Sequence, residues 1–90
     1  MKERINWEDV SFVIVSSYRV KVLELLEVPT TPSKLSEATN INITHVSRAL
    51  AELESKKLIE CLTPDVSKGR LYRITEYGRE IQKAIKEKLK

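Results

Sequence analysis

The chain predicts a small α+β fold, mainly helical, with one β-hairpin near its C-terminal end and a last helix after it. Apolar residues recur at three- and four-residue steps through most of the sequence, as they do on one face of an α-helix. Around residues 59–74 the period changes to two: Ile59 and Cys61 alternate with Glu60 and Leu62, and Tyr72 and Ile74 alternate with Leu71 and Arg73. Ninety residues are enough for one hydrophobic core and too few for two, so residues 1–90 read as a single domain.

The elements follow in order. From Asn6 to Val15 the residues Trp7, Val10, Val13 and Ile14 keep a helical step, with Asn6 placed to cap the first turn. The run Phe12-Val13-Ile14-Val15 is equally good strand material, and periodicity alone leaves both options open there. Ser17 to Val28 reads as an amphipathic helix capped by Ser17, carrying Val20, Val22, Leu23, Leu25 and Leu26 and stopping before Pro29. Pro32 suits a first helical position, which starts a helix to Thr39 with Leu35 and Ala38 on its apolar face. Asn40 tolerates the left-handed conformation that a tight turn between helices requires. A further helix begins after the cap Asn42 and runs from Ile43 to about Lys57, with Val46, Ala49, Leu50 and Leu53 inward. Pro64 to Gly69 form the loop of the hairpin, and Thr75 caps a basic helix from Glu76 to Lys88 with Ile81, Ile85 and Leu89 on one stripe.

Composition excludes several classes of function. Apolar residues make up 41% and charged residues 32%, the balance of a soluble globular domain. The longest apolar stretch, Val10 to Val15, falls far short of the roughly 20 residues of a membrane span. The N-terminus has no secretory pattern, and the expected location is the cytoplasm. With Cys61 the only cysteine and His45 the only histidine, no intrachain disulfide can form and a Cys/His metal cluster is not expected. No nucleophile-base pair, flanked carboxylate pair or glycine-rich phosphate loop occurs, so the chain reads as a non-enzyme without a cofactor. Net charge is +3 but unevenly spread: residues 1–40 hold five Lys/Arg against six Asp/Glu, residues 41–90 eleven against seven. The second half therefore faces a polyanion.

Three stretches carry a resemblance. Leu35 to Leu50, with Asn40-Ile41-Asn42 between two helices, resembles the helix-turn-helix of winged-helix regulators, and Leu53-Glu54-Ser55-Lys56-Lys57-Leu58-Ile59 resembles the exit from their recognition helix, with Lys57 where glycine is usual. Tyr72-Arg73-Ile74-Thr75-Glu76-Tyr77-Gly78 is similar to the segment that closes the wing of MarR-type regulators. The short length and the helix around Arg19 to Leu26 are also similar to ArsR-type and small archaeal regulators, without the cysteine clusters of metal-sensing members. The likeness covers about Ser17 to Lys83. It implies a winged helix-turn-helix: the helix-turn-helix at about 32–57, the wing at about 58–75 and the C-terminal helix at about 76–88.

The same resemblance implies a transcriptional regulator that binds double-stranded DNA. Thr44, His45, Ser47 and Arg48 then face the major groove, Arg48 being able to hydrogen-bond a guanine through two atoms. Lys68, Arg70 and Arg73 supply the wing with phosphate contacts, near Asp65 as a loop partner. Trp7, Phe12 and Tyr18 are expected in the core, as is Cys61 as a small strand residue. A homodimer is expected, with Trp7, Val10, Val13 and Ile14 as one candidate surface and Ile81, Ile85 and Leu89 as the other. The rival reading is a winged-helix adaptor that binds protein, because a fold alone does not decide function.

Overall fold

A computed structural model describes residues 5–88, which form five helices and a two-stranded antiparallel sheet. The helices are α1 (Trp7–Ile14), α2 (Ser17–Leu25), α3 (Pro32–Thr39), α4 (Ile43–Ser55) and α5 (Glu76–Lys88); the strands are β1 (Ile59–Cys61) and β2 (Tyr72–Ile74). The order is that predicted, an α+β chain with the hairpin between α4 and α5. Leu89, the last member of the predicted C-terminal stripe, lies outside the described residues.

The ambiguous run Phe12–Val15 is helical. Val10 and Val13 are buried on the same side of α1, a spacing that a strand would divide between two faces. Trp7 corrects the sequence reading: it is 58% exposed, because the buried side of α1 centres on Asp9, Val10 and Val13 and Trp7 lies roughly a third of a turn away. Tyr18, also expected in the core, is 41% exposed. Phe12 is half-buried and packs against the core.

Helix α2 is capped by Ser16, one residue earlier than predicted, whose hydroxyl accepts from the Arg19 N–H. It also ends earlier, at Leu25. The carbonyl of Leu26, buried at the C-cap, accepts instead from the Ile74 N–H at 2.9 Å, and this ties the end of α2 to the hairpin. Thr30 extends that junction by exchanging two backbone hydrogen bonds with Tyr72, giving the sheet a one-residue third strand that the alternation pattern is too short to reveal.

The core is continuous across all five helices and the hairpin. Val13, Val22, Leu26, Val46, Leu53, Leu58 and Ile81 are fully enclosed, each contributing about 1.5 to 3 kcal/mol relative to exposure. In α3 only Leu35 is buried; Ala38 faces solvent, so the apolar face is narrower than expected. Asp9 is buried too, but paired: the Tyr77 hydroxyl donates to its Oδ2 at 2.6 Å and Lys56 Nζ stands 3.9 Å from its Oδ1. Burial first, and then the hydrogen bond to Asp9, hold the Tyr77 pKa above its ordinary value. This cluster joins α1, α5 and the end of α4. Among the described residues no helix is long and apolar enough to cross a membrane.

Candidate nucleic-acid interface

The turn between α3 and α4 is built from short polar side chains that satisfy the freed backbone groups. Asn40 takes the left-handed conformation (φ 59°, ψ 30°) that the sequence predicts for it. The Thr39 hydroxyl donates to the Leu35 carbonyl, the Ser36 hydroxyl donates to the Ile41 carbonyl, and the Asn42 side chain accepts from the Thr44 N–H at 2.8 Å. Ile41 is buried beneath them. The turn therefore sets α4 firmly against α3, with the first turn of α4 projecting from the molecule.

Val46, Ala49, Leu50 and Leu53 form the inward stripe of α4 as predicted. Thr44, Ser47 and Arg48 are exposed on the opposite side with no acid among them, and the exposed surface continues through Ala51, Glu54 and Ser55 toward the end of the helix. Among the described residues no ion pair engages Arg48, which leaves its guanidinium available. His45 is exposed on the flank rather than the centre, its ring 5.2 Å from that of Tyr18. Tyr18 thus lies against the flank of α4 rather than in the core.

The nearest acid on this flank, Glu52, is held by Arg19. Arg19 Nε donates to Glu52 Oε1 at 2.9 Å, its Nη1 donates to the Phe12 carbonyl at 2.6 Å, and the guanidinium lies 3.9 Å over the Phe12 ring. One planar fork thus binds α1, α2 and α4, which a lysine could not do. A groove of about 310 Å³ runs between the start of α2 and α4, lined by Ser16, Tyr18, Arg19, His45, Arg48, Ala49 and Glu52.

The three basic residues of the hairpin differ in their surroundings. Lys68 is exposed beside Gly69, whose positive φ of 69° lets the loop turn. Arg70 Nε donates to the Val66 carbonyl at 2.7 Å, and no ion pair to Asp65 forms among the described residues, so the loop is braced by backbone rather than by the expected charge pair. Arg73 sits opposite Glu60 in the strand register and its Nη2 donates to Glu60 Oε2 at 2.9 Å. Opposite charges placed face to face across two strands are the signal in the sequence that pairs Glu60 with Arg73 once the register is known.

A search of solved structures finds this arrangement repeatedly. A MarR family transcription regulator superposes with a TM-score of 0.75 at 26% identity, covering 91% of this chain and 56% of that one. The chain has the MarR-type winged-helix fold. MarR from E. coli, as a cysteine-to-serine mutant complexed with operator DNA, matches this winged helix with a TM-score of 0.72 at 25% identity over 89% of this chain and 59% of that one. A mutant of ZitR from Lactococcus lactis gives 0.70 at 26% identity over 80% and 51%. The winged helix thus spans about half to three-fifths of the solved chains it matches. No protein-family model matches the sequence, and no curated protein does.

In winged-helix terms α3 and α4 are the helix-turn-helix, and β1 and β2 with their loop are the wing. The two surfaces expected to carry a dimer fare differently from the groove-facing set. Val10 is 1%, Ile81 0% and Ile85 4% exposed, all within this chain's own core, and none is free to line an interface. The apolar spacing that suggested an outer face belongs to the inner one. Trp7 and half-buried Ile14 remain accessible on α1, with Lys88 Nζ 5.9 Å over the Trp7 ring. Cys61 is half-buried and unpaired, and among the described residues no group of three or more His, Cys, Asp or Glu is gathered as for a metal.

Proposed function

We propose that this chain is a transcriptional regulator that binds double-stranded DNA, with α4 in the major groove and the wing on the flanking backbone. One observation carries the reading. The exposed face of α4 presents Thr44, Ser47 and an Arg48 that no ion pair engages among the described residues, with no acid between them, in a fold whose solved neighbours include MarR complexed with operator DNA. A recognition helix reads bases with its N-terminal residues, and an arginine there can hold guanine through O6 and N7. His45, on the flank of α4 beside Tyr18, is assigned to the DNA backbone. Lys68 and Arg70 are the principal phosphate contacts of the wing, and Arg73 a weaker one because Glu60 already neutralises it.

The reading extends to a homodimer on an inverted repeat, with half-sites roughly 34 to 36 Å apart. Trp7 and Ile14 supply its apolar contribution from α1.

The test compares two sets of substitutions on a site selected by the chain from a random DNA pool and on unrelated DNA. Arg48→Ala costs about 1 to 3 kcal/mol on the selected site and much less on unrelated DNA, shrinking the specificity ratio. Lys68→Ala and Arg70→Ala weaken both alike and flatten the salt dependence by roughly one counterion each. If neither set alters DNA binding, the protein-adaptor reading replaces this one.

A further inference from the structure

Ile43, the first residue of α4, is an apolar side chain that the fold does not use. It is 44% exposed. The usual reason for an apolar residue at a helix start is a staple between the position before the cap and the fourth helical residue. Here that role falls to Ile41 and Val46, which are 8% and 0% exposed within one core cluster. Nor does Ile43 serve the helix terminus, where a β-branched residue adds nothing and the side-chain cap on the Thr44 N–H comes from Asn42. Side chains lean toward the N-terminus of their helix, so Ile43 projects ahead of Thr44 and Ser47 at the tip that enters the groove.

Among base edges in the major groove, one apolar group is on offer, the 5-methyl of thymine. We propose that Ile43 is a specificity-determining residue that packs against a thymine methyl group in each half-site, next to the base pairs read by Thr44, Ser47 and Arg48. The inference rests on the DNA-binding reading above. It adds the identity of a base that the Thr44 and Ser47 hydroxyls and the Arg48 guanidinium do not select.

Replacing thymine by uracil removes that methyl and nothing else, which gives a direct experiment. The wild-type chain and Ile43→Ala are titrated against the selected site, with each thymine changed to uracil in turn. At one thymine per half-site, uracil weakens the wild-type chain roughly fourfold, the factor to which burial of one methyl group converts. Ile43→Ala binds the parent site more weakly by a similar factor and is indifferent to uracil at that position. Sensitivity to uracil that persists unchanged in Ile43→Ala, or its absence at every thymine in the wild type, overturns the assignment while leaving DNA binding intact. A chain that selects no DNA from the pool overturns both readings.

Discussion

Lys57 holds a left-handed backbone (φ 63°) at the point where the helix-exit motif ordinarily has glycine. Its N–H donates to the Glu54 carbonyl and the N–H of Leu58 donates to the Leu53 carbonyl, the paired bonds of a Schellman motif with Leu53 and Leu58 both buried behind it. The geometry is that of the glycine version; only the residue differs. A side chain in this conformation costs on the order of 1 kcal/mol, less the entropy that glycine restores to the unfolded chain. Lys57→Gly is therefore expected to stabilise the fold by about 0.5 to 1 kcal/mol, raising the melting temperature by roughly 2 to 8 °C. Thermal unfolding followed by circular dichroism checks this, and a lower melting temperature would count against the argument. Gly78 is the opposite case: a Cβ there would collide with the Leu58 backbone carbonyl, so α5 can approach the exit of α4 only with glycine at this position. Thr75 completes the junction by donating to the Lys57 carbonyl and capping the Gly78 N–H.

At the scale of elements, charge pairing decides which basic side chains are free. Arg19 is committed to holding α1 and α2 against α4, while Arg73 is committed across the sheet to Glu60. Arg48 and Lys68 have no such partner among the described residues. The Glu60–Arg73 pair is surface-exposed and contributes little to stability, about 0.2 to 1 kcal/mol, but it cancels the positive charge that Arg73 would otherwise give the strands of the wing. Glu60→Gln is accordingly expected to tighten binding to selected and unrelated DNA alike and to steepen the salt dependence by up to one counterion. Binding titrations across a salt series measure both quantities. Unchanged affinity and slope would mean that the strand face of the wing does not approach the backbone.

For the molecule as a whole, the question is how much apolar surface is left once the core is complete. Val10, Ile81 and Ile85 are consumed by it, which leaves Trp7 and half-buried Ile14 as the accessible members of the predicted seam among the described residues, with the 76%-exposed Val15 beside them at the end of α1. A seam this small favours a concentration-dependent equilibrium over an obligate dimer. Sedimentation over the micromolar range is expected to show monomer and dimer exchanging, with Trp7→Ala shifted toward monomer and its preferred DNA site unchanged. A single monomeric species at every concentration would remove the inverted-repeat arrangement while leaving the α4 surface as it is.

The helical and strand periods, the caps at Asn6, Asn42 and Thr75, the helix start at Pro32 and the turn at Asn40 were legible in the sequence because each depends on residues within a few positions of one another. So was the exposed face of α4, since its buried stripe follows directly from a 3.6-residue period. Periodicity tells that a face is apolar but not what covers it, which is why Val10, Ile81 and Ile85 looked like an interface and proved to be core. The early end of α2, the Thr30 bridge and the Glu60–Arg73 pair depend on the hairpin returning to partners 13 to 48 residues away, whereas the cap at Ser16 is local and differs from the expected Ser17 because two adjacent serines offer the same hydroxyl. The sequence by itself determined the elements and the charge of the face they expose. Tertiary structure alone decided which of those side chains are already engaged, because engagement is set by distances in space that local pattern does not encode.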